Sequence, residues 1–222
     1  MQDQRAELEW RDGAVPVSLR FDDPYFSLEN GLAETRHVFL GGNDLPARFR
    51  DGFAIAELGF GTGLNFLTTW AAWRAAGMTG RFHFTSFEAY PMDRADMAAA
   101  LSAFPELAPL AEALIDRLGS DGCAQFDDAT LTVIMGDVRQ TLPDWKGRAD
   151  AWFLDGFSPA KNPEMWGADL MVEVARHTAA RGTVATYTAA GFVRRGLEAA
   201  GFDVSRVPGF GRKRHMTRAI LR

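Results

Sequence analysis

From about residue 53 onward, the chain alternates between two patterns of apolar and polar residues. Short apolar runs that end in glycine or an acid indicate buried strands, and longer segments with apolar residues at helical spacing indicate helices. The predicted strands are 53–60, 81–89, 150–157, 182–189, 202–207 and 217–222. The predicted helices are 64–77, 93–119 with interruptions near Pro105 and Pro109, 163–179 and 191–201. The segment 123–137 is predicted to form a hairpin that turns at Asp127–Asp128.

This alternation of strands and helices predicts an α/β fold with a mostly parallel sheet covered by helices on both faces. With 222 residues, of which 47% are hydrophobic, the chain is long enough for one domain with a sizeable core. Residues 1–50 fit no strand–helix unit, and the segment 22–49 is rich in aromatic residues, asparagine and glycine. We therefore expect an irregular N-terminal extension over 1–50 that wraps the core or borders the site, followed by a domain over 51–222.

Composition narrows the class of protein. Cys123 is the single cysteine, so an internal disulfide is excluded and a reducing compartment is favoured. The N-terminus lacks the basic-then-apolar order of a signal peptide, and no apolar run approaches the roughly 18 residues of a membrane span. These features predict a cytoplasmic protein that binds neither membrane nor metal.

Charge is distributed unevenly along the chain. The net charge is -5, yet residues 203–222 carry six basic residues and one acid, a balance of +5. Such asymmetry hints at a polyanionic partner near the C-terminus. A solvated basic tail explains it equally well, because six charges in this length are not extreme.

A glycine-rich turn follows the first strand of the predicted domain. In ELGFGTGLNF (57–66), Gly59, Gly61 and Gly63 permit positive φ, and the N-terminus of the following helix offers free N–H groups. An open α/β sheet binds its ligand at this edge. The spacing G-x-G-x-G, preceded by Glu57, is typical of S-adenosylmethionine-dependent methyltransferases and differs from the dinucleotide fingerprint G-x-G-x-x-G. The alternative is a tight turn that binds no ligand.

Two further acids are predicted to lie at ends of parallel strands. Glu88 lies 25 residues beyond Gly63, where a carboxylate can accept both ribose hydroxyls of a nucleoside cofactor. Asp137 ends the next parallel strand, where methyltransferases commonly hold the adenine amino group. Either residue taken alone is as readily a surface acid, so the prediction depends on their combination with the glycine turn.

Asp155 ends the fourth parallel strand and is predicted to lie beside the glycine turn. The loop after it, GFSPAKNP, is restricted by Gly156 and Pro159, and Asn162 is predicted to cap a helix that begins at Pro163. In amino-methylating enzymes this position carries the signature D/N-P-P-Y, whereas the present sequence reads D-G-F-S-P. A turn-capping aspartate is the alternative. Similarly, Lys161 is either solvated or an anion contact, and Phe157 and Trp166 either pack or stack on a base.

The motifs ELGFGTGLNFL, DAWFLDGFSPAKNPEMW, TAAGFVRRGLEAAGF and GFGRKRHM resemble the methyltransferase domain of the MnmC family of wobble-uridine modifying enzymes. The segment 22–49 also matches that family's opening segment, so the resemblance spans nearly the whole chain. It implies a Rossmann-like class I fold, S-adenosyl-L-methionine as cofactor and bacterial tRNA as partner. The implied reaction converts the amine of 5-aminomethyl-(2-thio)uridine to its methylamino form.

The chain departs from this family in one respect. Bifunctional members continue into an FAD-dependent oxidoreductase that generates the free amine, and this chain stops at Arg222. A separate or fused oxidoreductase is therefore expected as a partner, and FAD is not expected here, since no flavin fingerprint occurs. Ser158 and Glu164 stand where alanine and aspartate are more usual, which are mild changes.

The resemblance also assigns roles to residues. Asp155 is the expected catalytic residue, which orients the amine and takes up its proton. The expected cofactor-binding residues are Glu57, Gly59, Gly61, Gly63, Asn65, Glu88, Asp137 and Asp155. The expected contacts to tRNA are Phe157, Lys161, Tyr187, Arg194, Arg195, Phe210, Arg212, Lys213 and Arg214. For Tyr187 and Phe210, which could stack on an extruded uridine, plain core packing is the alternative. Two other functions stay open: methylation of a different amine, and a non-catalytic module that docks RNA.

Overall fold

A computed structural model describes the protein over residues 5–11, 15–27 and 30–222. The strands in these residues are β1 (Leu8–Arg11), β2 (Val15–Ser18), β3 (Asp23–Pro24), β4 (Ala54–Leu58), β5 (Phe82–Glu88), β6 (Cys123–Gln125), β7 (Ala129–Met135), β8 (Ala149–Leu154), β9 (Thr178–Thr186), β10 (Phe202–Pro208) and β11 (His215–Leu221). The α-helices are α1 (Gly31–Thr35), α2 (Leu64–Ala75), α3 (Arg94–Leu101), α4 (Ala108–Arg117), α5 (Val138–Thr141), α6 (Ala168–Arg176) and α7 (Gly191–Ala199).

The main sheet has eight strands in the order β10-β11-β9-β8-β4-β5-β7-β6. Its five inner strands, from β9 to β7, are parallel, whereas β10, β11 and β6 run antiparallel to their neighbours. The prediction of a mostly parallel sheet is therefore confirmed. Strand β4 pairs with β5 on one side and with β8 on the other, and the helices that follow β4 and β8, α2 and α6, pack on opposite faces of the sheet. A crevice opens at such a switch point, outside the carboxyl ends of the strands.

Helices cover both faces of this sheet, as predicted. Alternate residues of a strand point to opposite faces, so Ile55 of β4 joins the aromatic core beneath α2, around Phe66 and Trp70. The next residue, Ala56, joins the second core, which includes Leu170 of α6. The two cores hold the carboxyl ends of β4 and β8 in fixed positions between two layers of helices.

The helix predicted over 163–179 is wrong at both ends. Pro163–Trp166 forms a 3-10 turn, Gly167 is extended, and α6 ends at Arg176 because β9 begins two residues later. Although Asn162 precedes Pro163 as predicted, its side chain makes no capping hydrogen bond. Pro109 does not interrupt α4, because it lies in the first turn, where its missing N–H is not needed.

The N-terminal segment is more regular than its sequence pattern indicates. Strands β1, β2 and β3 form a small antiparallel sheet, and α1 continues into a π-helical turn at Arg36–Leu40. Strands of two to four residues are too short to show a clear alternation of apolar and polar side chains.

Within the described residues, no single helix is both long and apolar enough to cross a membrane. The stretches Arg94–Leu101 and Pro105–Arg117 meet the criteria of length and composition only as a pair, and they are bent by 118° at the break between them.

Candidate active site

A cleft of about 460 Å³ opens at the carboxyl ends of β4 and β8. This volume lies in the range of small-molecule sites. The lining comes from the N-terminal segment, the glycine turn, the end of β5, the loop after β8 and the β10–β11 loop. It includes Asp23, Tyr25, Glu34, Thr35, Gly59, Gly61, Asn65, Glu88, Asp155, Gly156, Phe157, Tyr187, Phe210, Arg212 and Lys213. Of the residues predicted from the sequence, the cleft therefore unites Gly59, Gly61, Asn65, Glu88 and Asp155 with Phe157, Tyr187, Phe210, Arg212 and Lys213. Gly63 is not among the lining residues, and a Cβ atom there would meet Leu114 and Phe60.

The glycine turn runs close to two neighbouring segments. Gly59 has φ +86°, and a Cβ atom there would lie 3.2 Å from the Cα of Gly156. Gly61 has φ +54°, and its Cβ would lie 3.1 Å from the Tyr25 ring. Both positions need the left-handed conformation and the close approach that glycine allows. Gly63 occupies the N-cap position of α2. The turn thus presents bare backbone to the cleft, a cradle that a side chain would fill.

Glu88 is held by backbone groups at the end of β5. One carboxylate oxygen accepts a hydrogen bond from the Gly61 N–H at 3.0 Å, and the other accepts one from the Tyr90 N–H at 2.7 Å. Burial raises the pKa of Glu88, and these N–H groups partly counter the rise. The carboxylate therefore has a fixed orientation along the wall of the cleft, next to the glycine turn.

Asp155 follows β8 directly and lies across the cleft wall from α2. Its Oδ2 accepts a hydrogen bond from the Asn65 Nδ2 at 2.7 Å. Burial raises the pKa of Asp155 to about 6, although the Asn65 hydrogen bond opposes the rise. A carboxyl group with a pKa in this range can exchange a proton near neutral pH.

A buried network fixes Asn65. The same amide nitrogen that contacts Asp155 donates to Glu57 Oε1 at 2.8 Å, while the Asn65 Oδ1 accepts from the Thr35 hydroxyl at 2.9 Å. Glu57 has no solvent exposure, and its second oxygen accepts from the Ser86 hydroxyl at 2.7 Å. Burial raises the pKa of Glu57 well above its ordinary value. Glu57, which was predicted as a cofactor ligand, lies beneath the cleft lining and supports Asn65.

Asp137 is not among the residues that line the cleft. It caps α5 by accepting from the Arg139 N–H at 2.9 Å, and its carboxylate also accepts from the Arg139 guanidinium. That guanidinium lowers the pKa of Asp137 and also pairs with Glu164 at 2.7 Å. A contact between Asp137 and adenine stays a prediction.

Aromatic residues brace the loop that follows Asp155. Phe157 stacks on Phe21 with ring centres 4.6 Å apart, and it meets Tyr25 edge-on at 5.1 Å. Trp166 is buried and donates its indole N–H to the Phe157 carbonyl at 3.0 Å. The Tyr187 hydroxyl donates to the Gly156 carbonyl at 2.8 Å. Of the two packing candidates, Trp166 packs in the core, and Phe157 packs while also facing the cleft.

The predicted cations fall into two groups. Arg212 and Lys213 line the cleft with Phe210, in the loop between β10 and β11. Lys161 instead pairs with Asp22 of the N-terminal segment, where Asp23 also accepts from the Ser158 N–H at 2.8 Å. The remaining predicted cations also lie outside the cleft lining: Arg194, Arg195 and Arg214.

Sequence reasoning assigned no role to the residues of the N-terminal segment that line this cleft, and two of them, Glu34 and Thr35, contact predicted site residues. Glu34 pairs with Lys213 at 2.7 Å between Oε1 and Nζ, and Thr35 orients Asn65. The only sequence signal was the match of segment 22–49 to the opening of the MnmC family, which marks the segment as important without assigning a role to either residue.

Comparison with known proteins is consistent with this geometry. Residues 106–222 match a family model described as S-adenosyl-L-methionine-dependent methyltransferase. The chain is 48% identical, over 98% of its length, to the tRNA 5-methylaminomethyl-2-thiouridine biosynthesis bifunctional protein MnmC of Stutzerimonas stutzeri, of which it covers 35%. The MnmC of Pseudomonas aeruginosa is also 48% identical, over 96% of this chain and 34% of that protein. The chain thus spans about a third of the length of these relatives.

The fold of the chain is also similar to that of solved structures. MnmC2 from Aquifex aeolicus superposes with a TM-score of 0.80 at 25% identity, covering all of this chain and 72% of that one. Spermidine synthase from Thermotoga maritima has a TM-score of 0.56 at 9% identity, covering 98% of this chain and 72% of that one, which indicates a common fold only.

Proposed function

Because the chain belongs to the family of S-adenosyl-L-methionine-dependent methyltransferases, we propose that it methylates the amine of 5-aminomethyl-(2-thio)uridine at the wobble position of tRNA. The product is the 5-methylaminomethyl form. The observation that carries the proposal is the 48% identity, over nearly the whole chain, to relatives named for the biosynthesis of this nucleoside. The resemblance to the MnmC family inferred from the sequence motifs is confirmed by the same finding.

The residues around the glycine turn fit the cofactor. S-adenosyl-L-methionine supplies a sulfonium methyl group: the amine nitrogen forms a bond to the methyl carbon while the carbon–sulfur bond breaks and leaves its electron pair on sulfur. We assign the backbone of Gly59 and Gly61 to the approach of the cofactor, because both glycines line the cleft and carry no side chain of their own. Gly63 is assigned to the shape of the turn, since it has φ +82° and occupies the N-cap position of α2. Glu88 is assigned to the ribose hydroxyls, since its carboxylate already has a fixed orientation beside this turn.

Asp155 is assigned to the acceptor amine. An alkyl amine resembles lysine, with a pKa near 10, so roughly one molecule in a thousand is neutral at pH 7. This handicap corresponds to about 4 kcal/mol. A carboxylate whose pKa is raised by burial to about 6 accepts the amine proton more readily than an ordinary aspartate does. The hydrogen bond from Asn65 holds that carboxylate in one orientation.

Contacts to tRNA are assigned to the same side of the molecule. Phe157, Tyr187 and Phe210 line the cleft and offer ring faces on which an extruded uridine can stack. Arg212 and Lys213 lie at the same opening and can contact phosphate. The cations outside the cleft lining are assigned to more distant phosphates: Lys161, Arg194, Arg195 and Arg214. With a net charge of -5, binding should be local and sensitive to salt.

The free amine must be supplied by a second enzyme. The relatives are named bifunctional, and the chain covers only about 35% of the Stutzerimonas protein. We propose that an FAD-dependent oxidoreductase, fused or separate, produces the amine, and that both steps occur in the cytoplasm with tRNA.

Nucleoside mass spectrometry tests this function directly. The protein and S-adenosyl-L-methionine are incubated with tRNA that carries the unmethylated aminomethyl wobble base. The expected result is a gain of one methyl group on that nucleoside. Asp155→Asn should lower turnover by about a hundredfold or more, which is typical for loss of an acid–base group, while cofactor affinity stays within a few fold. No methyl gain by a protein that binds the cofactor would refute the proposal and would favour a different amine acceptor.

A further inference from the structure

The ammonium group of Lys213 lies between a carboxylate and an aromatic ring inside the cleft. Its Nζ is 2.7 Å from the Glu34 Oε1 and 4.3 Å from the centre of the Tyr187 ring. All three residues line the cleft together with Asp155. The side chain of Glu34 is only 14% exposed, whereas that of Lys213 is 47% exposed. The carboxylate and the ring are therefore fixed parts of the wall, while the lysine reaches in from a loop.

Such a pair is a binding site for an alkylammonium ion. A carboxylate neutralises the charge, and the face of an aromatic ring attracts a cation within about 6 Å of its centre. A lysine side chain ends in a methylene group and an ammonium group. The proposed acceptor, an aminomethyl group, ends in the same two groups. The position of Lys213 thus marks where a primary alkylammonium ion can lie.

We propose that the acceptor amine binds as an ammonium ion between the Glu34 carboxylate and the Tyr187 ring, in the position that the Lys213 ammonium group occupies, and displaces that lysine. This inference rests on the proposed amine acceptor. It makes Glu34 and Tyr187 determinants of acceptor specificity.

The position is close to the proposed proton acceptor. The Tyr187 hydroxyl donates to the carbonyl of Gly156, the residue that follows Asp155. The charges of Glu34 and Lys213 also act on Asp155 from this side, where Glu34 raises its pKa and Lys213 lowers it. The proposed position therefore lies in the same cleft as Asp155, the assigned proton acceptor.

Glu34 contributes again as the methyl group is transferred. The neutral nitrogen becomes a secondary ammonium as its lone pair forms the new bond, so positive charge develops next to the Glu34 carboxylate. Charge stabilisation of this kind is strongest in a site that excludes water. The displaced Lys213 can then contact a phosphate of the RNA, which couples tRNA docking to access of the amine.

Ethylammonium chloride is a probe for this position that requires no tRNA. Its binding is measured at constant ionic strength from the NMR signals of the tyrosine rings. Lys213→Met removes the competing lysine and should tighten ethylammonium binding by about tenfold, because the charge-assisted contact to the Glu34 carboxylate becomes available to the probe. Adding Glu34→Gln to that variant should reverse the gain.

Matched controls separate this effect from general charge. Arg214→Met removes a neighbouring cation that does not line the cleft, and Glu164→Gln removes an acid that pairs with Arg139 at the same 2.7 Å. Neither should change ethylammonium binding by more than about twofold. Unchanged binding in Lys213→Met, or binding in the double variant that equals that of Lys213→Met, would overturn the inference.

The tRNA assay keeps the two proposals distinguishable. If the unaltered protein methylates the wobble nucleoside, Glu34→Gln should raise the KM for tRNA by about tenfold with cofactor affinity unchanged, and an unchanged KM would refute the role of Glu34. If the unaltered protein does not methylate it, the proposed function fails, while the ethylammonium titration still decides whether the alkylammonium site exists.

Discussion

Replacing Asp155 by asparagine should make the protein more stable at neutral pH. Burial raises the pKa of this carboxyl from 3.8 to about 6. The folded state therefore disfavours the ionised form, which is the form present at pH 8. An asparagine side chain fits the same volume, carries no charge and can present its carbonyl oxygen to the Asn65 amide. In the proposed function, a destabilising charge is kept at this position because the reaction needs a proton acceptor.

The size and direction of the effect follow from the pKa difference. A rise of about two units corresponds to about 3 kcal/mol of unfolding free energy at pH 8. Because the folded pKa of this acid lies above the unfolded value of 3.8, the penalty is absent below about pH 3, grows as the pH rises to about 6, and is nearly constant above about pH 7. At pH 4 the difference between Asp155→Asn and the unaltered protein should be only about 0.5 kcal/mol.

Urea denaturation at pH 4 and pH 8 measures both values. Asp116→Asn is the matched control, because Asp116 is an exposed residue on α4 and its replacement should change stability by less than about 0.5 kcal/mol at either pH. If Asp155→Asn were no more stable than the unaltered protein at pH 8, or if the gain were the same at pH 4, burial would not be the cause of the raised pKa.

Two further predictions follow from the contacts of the site. Asn65→Ala removes the side-chain donor that opposes the raised pKa of Asp155. The midpoint of the acidic limb of the pH–rate profile should therefore rise by roughly one unit. A lower rate with an unchanged midpoint would mean that Asn65 only supports the fold. Gly59→Ala should lower the unfolding free energy by about 1 kcal/mol more than Gly52→Ala. Both positions have positive φ, but only a Cβ at Gly59 would meet another segment, so equal losses in urea denaturation would contradict the crowding argument.

The sequence predicted much of the fold because the relevant information is local. The apolar run in 150–157 and the helical spacing in 64–77 identified a strand and a helix, which the structure places at Ala149–Leu154 and Leu64–Ala75. Strand–helix alternation implied a parallel sheet. Asp155 was expected beside the glycine turn because both follow parallel strands, whose carboxyl ends meet at one edge. Local pattern failed at 163–179, where the 3-10 turn and the start of β9 depend on packing against the rest of the chain.

The chain by itself thus determined most of the strands and helices after residue 53 and which chemical groups stand at the strand ends, since both are set by neighbouring residues. Only the tertiary structure decided how those groups pair. Asn65 joins Glu57 to Asp155, which is 90 positions away, and Lys213 pairs with Glu34 across 179 positions. Tertiary structure also decided that Asp137 does not line the cleft, although its ion pair with Arg139 is local. The physical reason is that a hydrogen bond or ion pair depends on distances of about 3 Å, and these are set by the packing of whole elements.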